Sequence, residues 1–478
     1  MCLPVTAVSS RERVLKLPKS SRYNWKVSFD DTIAAIATPL GEGGLAVLRI
    51  SGPEAPAIAD SIFVGKDKPS TVPSHTIHFG KIVHHGRTID EVLLTVLRAP
   101  RTFTREDTVE ISCHGGILPA KLIFDAVLEQ GARPAEPGEF TRRAFLNGRI
   151  DLAQAEAVAD LIHSRTELAL AAANEQLAGQ LSRRINKLRD DLLHILAHVE
   201  AHIDFPDEDI APDTRDQLLR RLEEGLTFIA QLLQTANEGQ ILRRGIRAAI
   251  VGRPNSGKSS LLNQLLGRDR AIVSPIPGTT RDTIEETANV RGLPIVFIDT
   301  AGLREAKDEI EIEGIRRSRQ SLAQAELILH VLDSNQPLTG EDQNYFAEFA
   351  GKKRVLVRNK IDLPIRCELP SGLAPVVDVS CVTGHGVESL KDAIKAMVWS
   401  GEIKAEMLQV MINSRHQDAL NRAHTAALRT AEALRNDATL ELVALDLRIA
   451  VAAVGEIVGK TTTEDLLDSI FGQFCIGK

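Results

Sequence analysis

The sequence predicts a multidomain chain in which a P-loop α/β domain is inserted into an all-α domain, with an α+β domain in front. Three observations predict it. Residues 252–259 read Gly-Arg-Pro-Asn-Ser-Gly-Lys-Ser, the full phosphate-cradling pattern G-x-x-x-x-G-K-[ST], set between the apolar run 248–251 and the helical text of 260–266. From 245 to about 399, short apolar runs at 248–251, 295–298, 327–332, 354–357 and 376–379 alternate with helical text, which implies a mostly parallel sheet covered on both faces. Ala- and Leu-rich helical stretches lie on either side, at 151–240 and after 400, and are expected to pack together as one discontinuous domain.

With 478 residues the chain is long enough for two to four cores, and 43% hydrophobic residues suffice to fill them. Aromatics make up only 4%, so stacking platforms for single-stranded nucleic acid are not evident, and a net charge of −7 argues against a wholly basic nucleic-acid binder. Five scattered cysteines without a C-x-x-C pair give no zinc or disulfide framework and fit a reducing, cytoplasmic setting. No run of 18 apolar residues exists, so no membrane span is expected.

In chain order, residues 1–28 are basic, Ser-containing and free of hydrophobic periodicity, and read as a disordered leader; a mitochondrial transit peptide is the minor alternative. Residues 29–146 carry β-rich runs at 32–37, 46–50 and 92–97 and form the α+β domain. There, Arg49 and Glu110, each in or beside a strand near a glycine turn, suit an acid-and-amide ligand, although turn chemistry alone also explains the glycines. The helical domain spans 147–244 and 400–478, and the P-loop domain 245–399. His194, His198 and His202 fall near one helical face, but a straight helix spreads them over two turns, which favours a polar face over a metal site.

The phosphate loop should direct Asn255, Ser256, Gly257, Lys258, Ser259 and Ser260 at a nucleotide, with Lys258 reaching the β- and γ-phosphates and the Ser259 hydroxyl on Mg²⁺. Asp299-Thr300-Ala301-Gly302 follows an apolar run and supplies a carboxylate for the magnesium shell and a glycine for the γ-phosphate. Asn359-Lys360-Ile361-Asp362 names the base: one carboxylate accepts from both guanine N–H groups, for which adenine has no match, so the nucleotide is GTP. In the loop 277–282, Gly278, Thr279 and Thr280 are expected to close on the γ-phosphate, with Thr280 the second hydroxyl on Mg²⁺. Leu303 follows Gly302, so no glutamine there can orient water. Arg281, Arg304, Glu311 or a cation near Asn255 must assist hydrolysis instead.

Together with Leu48-Arg49-Ile50-Ser51-Gly52, His114-Gly115-Gly116, Asp151-Leu152-Ala153-Gln154-Ala155-Glu156, Ile203-Asp204-Phe205-Pro206 and the terminal Phe474-Cys475-Ile476-Gly477-Lys478, these motifs make residues 29–478 resemble the MnmE (TrmE) family, the tRNA uridine 5-carboxymethylaminomethyl modification GTPases. The resemblance implies that the α+β domain is tetrahydrofolate-binding-like and dimerises. It implies a homodimer that joins the flavoprotein MnmG (GidA) in a heterotetramer, with FAD on that partner only, and that modifies C5 of the wobble uridine, position 34, of certain tRNAs. It assigns 5-formyl- or methylene-tetrahydrofolate to Arg49, Glu110, Arg149 and Lys478, with Arg149 where lysine is common. It assigns K⁺ to Asn255, Ser274, Ile276 and Thr279, hydrolytic assistance to Glu311, and modification chemistry to Cys475. Ser380-Cys381-Val382 stands at the last guanine-contacting position, where Ser-Ala-Lys or Ser-Ala-Arg is usual, which puts side-chain packing on the base in doubt. The rival function is a GTP-switched ribosome-assembly factor; the Cys475–Lys478 terminus and the lack of a KH-like module speak against it.

Overall fold

The computed structural model describes residues 31–204, 215–267, 286–298, 322–369, 372, 374–399, 405–436 and 438–478. The first body holds β1 (Ile33–Ile36), β2 (Gly43–Ser51), α1 (Ala55–Ile62), β3 (Phe63–Gly65), β4 (Thr76–His84), β5 (Arg87–Leu97), β6 (Thr108–Gly115), α2 (Ile117–Glu129) and β7 (Arg133–Pro134). Its seven strands run β3-β4-β5-β6-β2-β1-β7, antiparallel except for the β1–β7 pair. Strand alternation gives the two faces different roles. Leu48, Ile50, Leu94, Val96, Val109 and Ile111 point to α1 and α2, packing on Ile58, Ile62, Ile123 and Val127. On the opposite face Leu45, Ile77, Phe79 and Leu93 are exposed, Phe79 to 65%.

A helix that packs its Phe140 on Ile33, Ala35 and Ala135 of the first body leads into the helical body. Helix α3 (Glu139–Leu146) follows Gly138, whose φ of +68° suits glycine and where a Cβ would lie 2.5 Å from the Phe471 carbonyl oxygen. Next come α4 (Leu152–His163), α5 (Glu167–Leu177), α6 (Gln180–Asp204), α7 (Arg215–Gln234) and α8 (Ala236–Arg244). Asp151 begins α4 with a reciprocal capping box to Gln154.

The P-loop body contains β8 (Ile246–Val251), α9 (Lys258–Leu266), β9 (Glu286–Val290), β10 (Leu293–Phe297), β11 (Leu327–Asp333), α10 (Gly340–Glu348), β12 (Lys353–Asn359), β13 (Val376–Val379) and α11 (Val387–Val398). The sheet order is β13-β12-β11-β8-β10-β9, parallel except that β9 runs against β10. The chain then returns to helices: α12 (Ala405–Leu408), α13 (Ser414–Arg435), α14 (Leu440–Ile457) and α15 (Glu464–Phe471). Helix α13 begins after Asn413, which caps it by accepting from the His416 N–H.

The two helical blocks share cores. Leu188, Leu192, Ile195 and Leu222 of α6 and α7 pack with Ala423, Ala427, Leu447 and Val454 of α13 and α14. At the other end, Leu152 and Phe145 pack with Leu467, Phe471 and Phe474. A buried ion cluster ties the blocks: Arg415 grips both oxygens of Glu156 at 2.9 and 2.8 Å, His416 Nε2 lies 2.8 Å away, and Arg415 also donates to the Glu456 and Ile457 carbonyls that end α14. Among the described residues no helix is long and apolar enough to cross a membrane.

Candidate nucleotide site and the sheet-face site

The phosphate loop leaves β8 and feeds α9, so its backbone N–H groups converge at a helix N-terminus. Two of its glycines are required by space. Gly252 has φ +144° and a Cβ there would sit 2.2 Å from the Val331 carbonyl; Gly257 has φ +97° and its Cβ would sit 2.1 Å from Asn359 Nδ2. Between them Asn255 also takes a positive φ, of +61°. Lys258 Nζ donates to the carbonyls of Gly252 and Arg253, at 2.9 and 2.8 Å, and burial lowers the pKa of its ammonium. Arg253 anchors the loop from outside: its Nε is 3.1 Å from Oδ2 of the fully buried Asp342 on α10, and it donates to the Pro337 carbonyl. Ser256 is buried, while Ser259 and Ser260 are exposed at the start of α9.

The segment Asn359–Asp362, expected to read the base, is fastened to this loop by hydrogen bonds. Asn359 ends β12; its Nδ2 donates to the Ser256 carbonyl at 2.9 Å and its Oδ1 accepts from the Cys381 N–H at 3.2 Å. Lys360, at φ +67°, donates to the Asn255 carbonyl at 2.8 Å and pairs with Asp333 at 2.7 Å. Asp362 stays exposed, and Ser380 Oγ holds one of its oxygens at 2.5 Å. Gln264 of α9 donates to the Cys381 carbonyl at 2.8 Å, so that residue is held through both main-chain groups, and burial pushes its thiol pKa up. Val382 is exposed.

The structure thus gathers Asn255, Ser256, Gly257, Lys258, Ser259, Asn359, Lys360, Asp362, Ser380 and Cys381 around one end of the sheet. Ser274, Ile276, Gly278, Thr279, Thr280, Arg281, Asp299, Thr300, Ala301, Gly302, Leu303, Arg304 and Glu311 lie outside the described residues. Sequence reasoning misses Asp333, Arg253 and Asp342. Asp333 has a signal, since it ends the apolar run of β11 and pairs in register with Asn359.

A second set of residues meets on the open face of the first sheet. Arg49 and Glu110 are directly paired across β2 and β6. The Arg49 Nε and Nη2 atoms both lie 2.8 Å from Glu110 Oε1, Nη1 donates to the Gly477 carbonyl at 3.3 Å, and the guanidinium lies 5.6 Å from the Phe140 ring centre. The C-terminal tail is therefore docked here: the Cys475 carbonyl accepts from the Gly138 and Lys478 N–H groups, and a Cβ on Gly477 would come within 3.0 Å of Ala37 Cα. Cys475 is exposed. Arg149 is held elsewhere, donating to the Thr102 carbonyl with its guanidinium over Phe103, whose ring packs on the Phe140 cluster.

Helix α3 is seated by Arg143, a fully buried arginine ringed by acids. It contacts Asp31 at 2.8 Å, Glu139 at 3.0 Å and Glu106 at 3.2 Å. Burial opposes the Glu139 charge, but Arg133 and Arg143 outweigh it and hold the carboxyl below its ordinary range. The same helix brings Phe140 beneath Arg49.

The three histidines of α6 do not form a metal-ligating group among the described residues. His194 is exposed, and the His202 ring engages the His198 carbonyl through Nδ1 at 2.9 Å.

Comparison with known proteins follows the same division of the chain. The family model for the GTP-binding protein TrmE N-terminus matches residues 32–149, and that for the MnmE helical domain matches 152–475. The tRNA modification GTPase MnmE of Listeria innocua is 49% identical over 454 residues, covering 94% of this chain and 99% of its own. Those of Geobacillus kaustophilus and Geobacter metallireducens are 49% and 48% identical, each across 94% of this chain and 99% of their own. Among solved structures, the G domain of the T. maritima FeoB iron transporter is 29% identical and covers 32% of this chain and 98% of its own, with a TM-score of 0.24, too low to bear on the fold.

Proposed function

Since the chain belongs to the MnmE family of tRNA modification GTPases, we propose that it couples GTP hydrolysis to placing a carboxymethylaminomethyl group on C5 of the wobble uridine of certain tRNAs. It works as a cytoplasmic homodimer with the flavoprotein MnmG, which alone carries FAD. The observation that carries this reading is the Arg49 contact: one guanidinium pairs with Glu110 and also holds the Gly477 carbonyl. That contact docks the tail two residues from the exposed Cys475, on the acid and arginine that would bind a folate.

Arg49, Glu110, Arg149 and Lys478 would hold 5-formyl- or methylene-tetrahydrofolate. Paired charges on an open sheet face beside Phe140 and Phe103 fit a ligand with amide, carboxylate and aromatic parts. The folate supplies a one-carbon unit when bound. The exposed Leu45, Ile77, Phe79 and Leu93 continue that same face and favour its closure by a second copy.

In the nucleotide site, the crowded Gly252 and Gly257 fit a loop that must approach phosphate with bare backbone. Ser259 and Thr280 would hold Mg²⁺, and Asn255, Ser274, Ile276 and Thr279 would hold K⁺; these ions offset charge on the transferring phosphoryl group. Lys258 neutralises phosphate, Asp362 reads guanine, and Glu311, aided by Arg281 or Arg304, orients water in place of the glutamine that Leu303 excludes.

The test is mass spectrometry of tRNA nucleosides from a strain lacking the gene, complemented with wild type or with Cys475→Ser. Wild type should restore the modified uridine. The serine variant should hydrolyse GTP at the wild-type rate, in K⁺ but not in Na⁺, and leave the uridine unmodified. Normal modification by Cys475→Ser, or equal hydrolysis in the two salts, would sink the respective assignment.

A further inference from the structure

We propose that His84, His85 and Glu129 form a binding site for a divalent transition ion of the Zn²⁺ kind, one that clamps the β4–β5 hairpin to the end of α2. None of these residues belongs to the nucleotide or sheet-face sites. The hairpin turn is the tetrapeptide His84-His85-Gly86-Arg87, with His84 and Arg87 paired and both central residues at positive φ, +47° and +72°. That turn type favours Asn-Gly, and a histidine at its first central position is an uncommon choice. It folds the His85 ring back toward the sheet, 3.9 Å from the His84 ring.

The two Nε2 atoms converge on one oxygen. His84 Nε2 is 2.9 Å and His85 Nε2 is 3.0 Å from Glu129 Oε2. Only His85 has the alignment of a hydrogen bond; the His84 Nε2 is buried and makes none. His84 Nε2 behaves as a ligand atom around a metal does, close to its neighbour's oxygen without a hydrogen bond to it. Bonds of about 2.0–2.2 Å to nitrogen and oxygen need these atoms to spread only slightly. Two neutral imidazoles and one carboxylate match a borderline ion such as Zn²⁺ better than the all-oxygen ions Mg²⁺ and Ca²⁺. They leave a coordination position for water.

A second observation calls for a cation. Glu129 is the last residue of α2, where unpaired carbonyls already concentrate negative charge, and the last turn contains no basic residue. A divalent ion on the exposed side of that turn offsets both charges. Among the described residues these three are the one group of histidines, cysteines and acids whose ligand atoms gather closely enough for an ion.

The test is a calorimetric titration of the full-length chain with Zn²⁺ in buffer without nucleotide. One equivalent should bind, and its affinity should fall at least about tenfold in His85→Asn and in Glu129→Gln. Asparagine suits the left-handed backbone, so His85→Asn removes the ligand and keeps the turn. The triple variant His194→Ala/His198→Ala/His202→Ala and Cys475→Ser should bind as wild type does. Absence of Zn²⁺ binding by wild type, or unchanged affinity in both His85→Asn and Glu129→Gln, overturns the proposal.

Discussion

The Asn359 side chain joins the phosphate loop to the base-reading segment: its amide donates to the Ser256 carbonyl at 2.9 Å while its carbonyl accepts from the Cys381 N–H. Both partners are main-chain groups, so no compensating side chain can replace it. Asn359→Ala strands a carbonyl and an N–H in a buried place, each costing about 1–3 kcal/mol. Guanine-nucleotide affinity should fall by roughly 30-fold or more, since every 1.4 kcal/mol is tenfold. Fluorescent-nucleotide titration measures this, and a loss under threefold would mean that the loop holds its shape without the bridge.

Gly257 faces the same amide. Any Cβ at this position meets Asn359 Nδ2 at 2.1 Å, and φ +97° strains every other residue. Gly257→Ala should therefore displace Asn359 and abolish nucleotide binding without unfolding the chain. Circular dichroism should match wild type while titration with GDP shows no binding; wild-type affinity would refute the close approach.

Asp362 is exposed, and Ser380 holds only one of its oxygens. Xanthine replaces the exocyclic amine of guanine with a carbonyl, which a carboxylate repels and an amide N–H satisfies. Asp362→Asn should reverse the preference, weakening GTP by about 100-fold or more and strengthening XTP, because a base left facing a group that cannot satisfy its hydrogen bonds is strongly rejected. Competition between the two nucleotides reads the result, and an unchanged preference would remove Asp362 from base recognition.

The sequence makes these residues legible because they lie where apolar runs end. Strands β8, β10, β11 and β12 each contain a buried apolar run, at 248–251, 295–297, 327–329 and 355–357, as strands covered on both faces do. β9 reads Glu-Thr-Ala-Asn-Val and escapes notice, although burial in an antiparallel edge pair covers even its polar residues. β4 escapes too, since Ile77 and Phe79 face outward, His78 lies on the other face, and Gly80 breaks the run.

Contacts between bodies are illegible for another reason. Arg49 and Gly477 are 428 positions apart, and nothing in either local pattern records that the tail packs against the end of β1. Within the P-loop body, the pairing of Arg253 with Asp342 is equally absent from either local pattern. In the sequence, only the resemblance to a family ties Arg49 to the C-terminus.

Glu156 joins the first helical block to the second, and its ionisation should set part of the acid limit of the fold. Burial opposes its charge, but His416 and Arg415 more than offset that, so the carboxyl stays well below its ordinary range. A carboxyl depressed on folding contributes stability that is fully present above its unfolded pKa and is lost as pH falls through the window beneath it. Glu156→Gln removes the charge while Arg415 and His416 stay buried, and should cost about 3–5 kcal/mol near neutrality. The difference between wild type and variant should be constant above roughly pH 6 and shrink as pH drops below about 4.3, the ordinary glutamate value. A chain of three bodies need not unfold in one step, so hydrogen exchange along α4 and α13 is the sharper measure. Protection there should fall in wild type on acidification and already be low in the variant at pH 7. A variant protected like wild type at pH 7 would show that apolar packing of α6 and α7 on α13 and α14 holds the blocks together without the ion cluster.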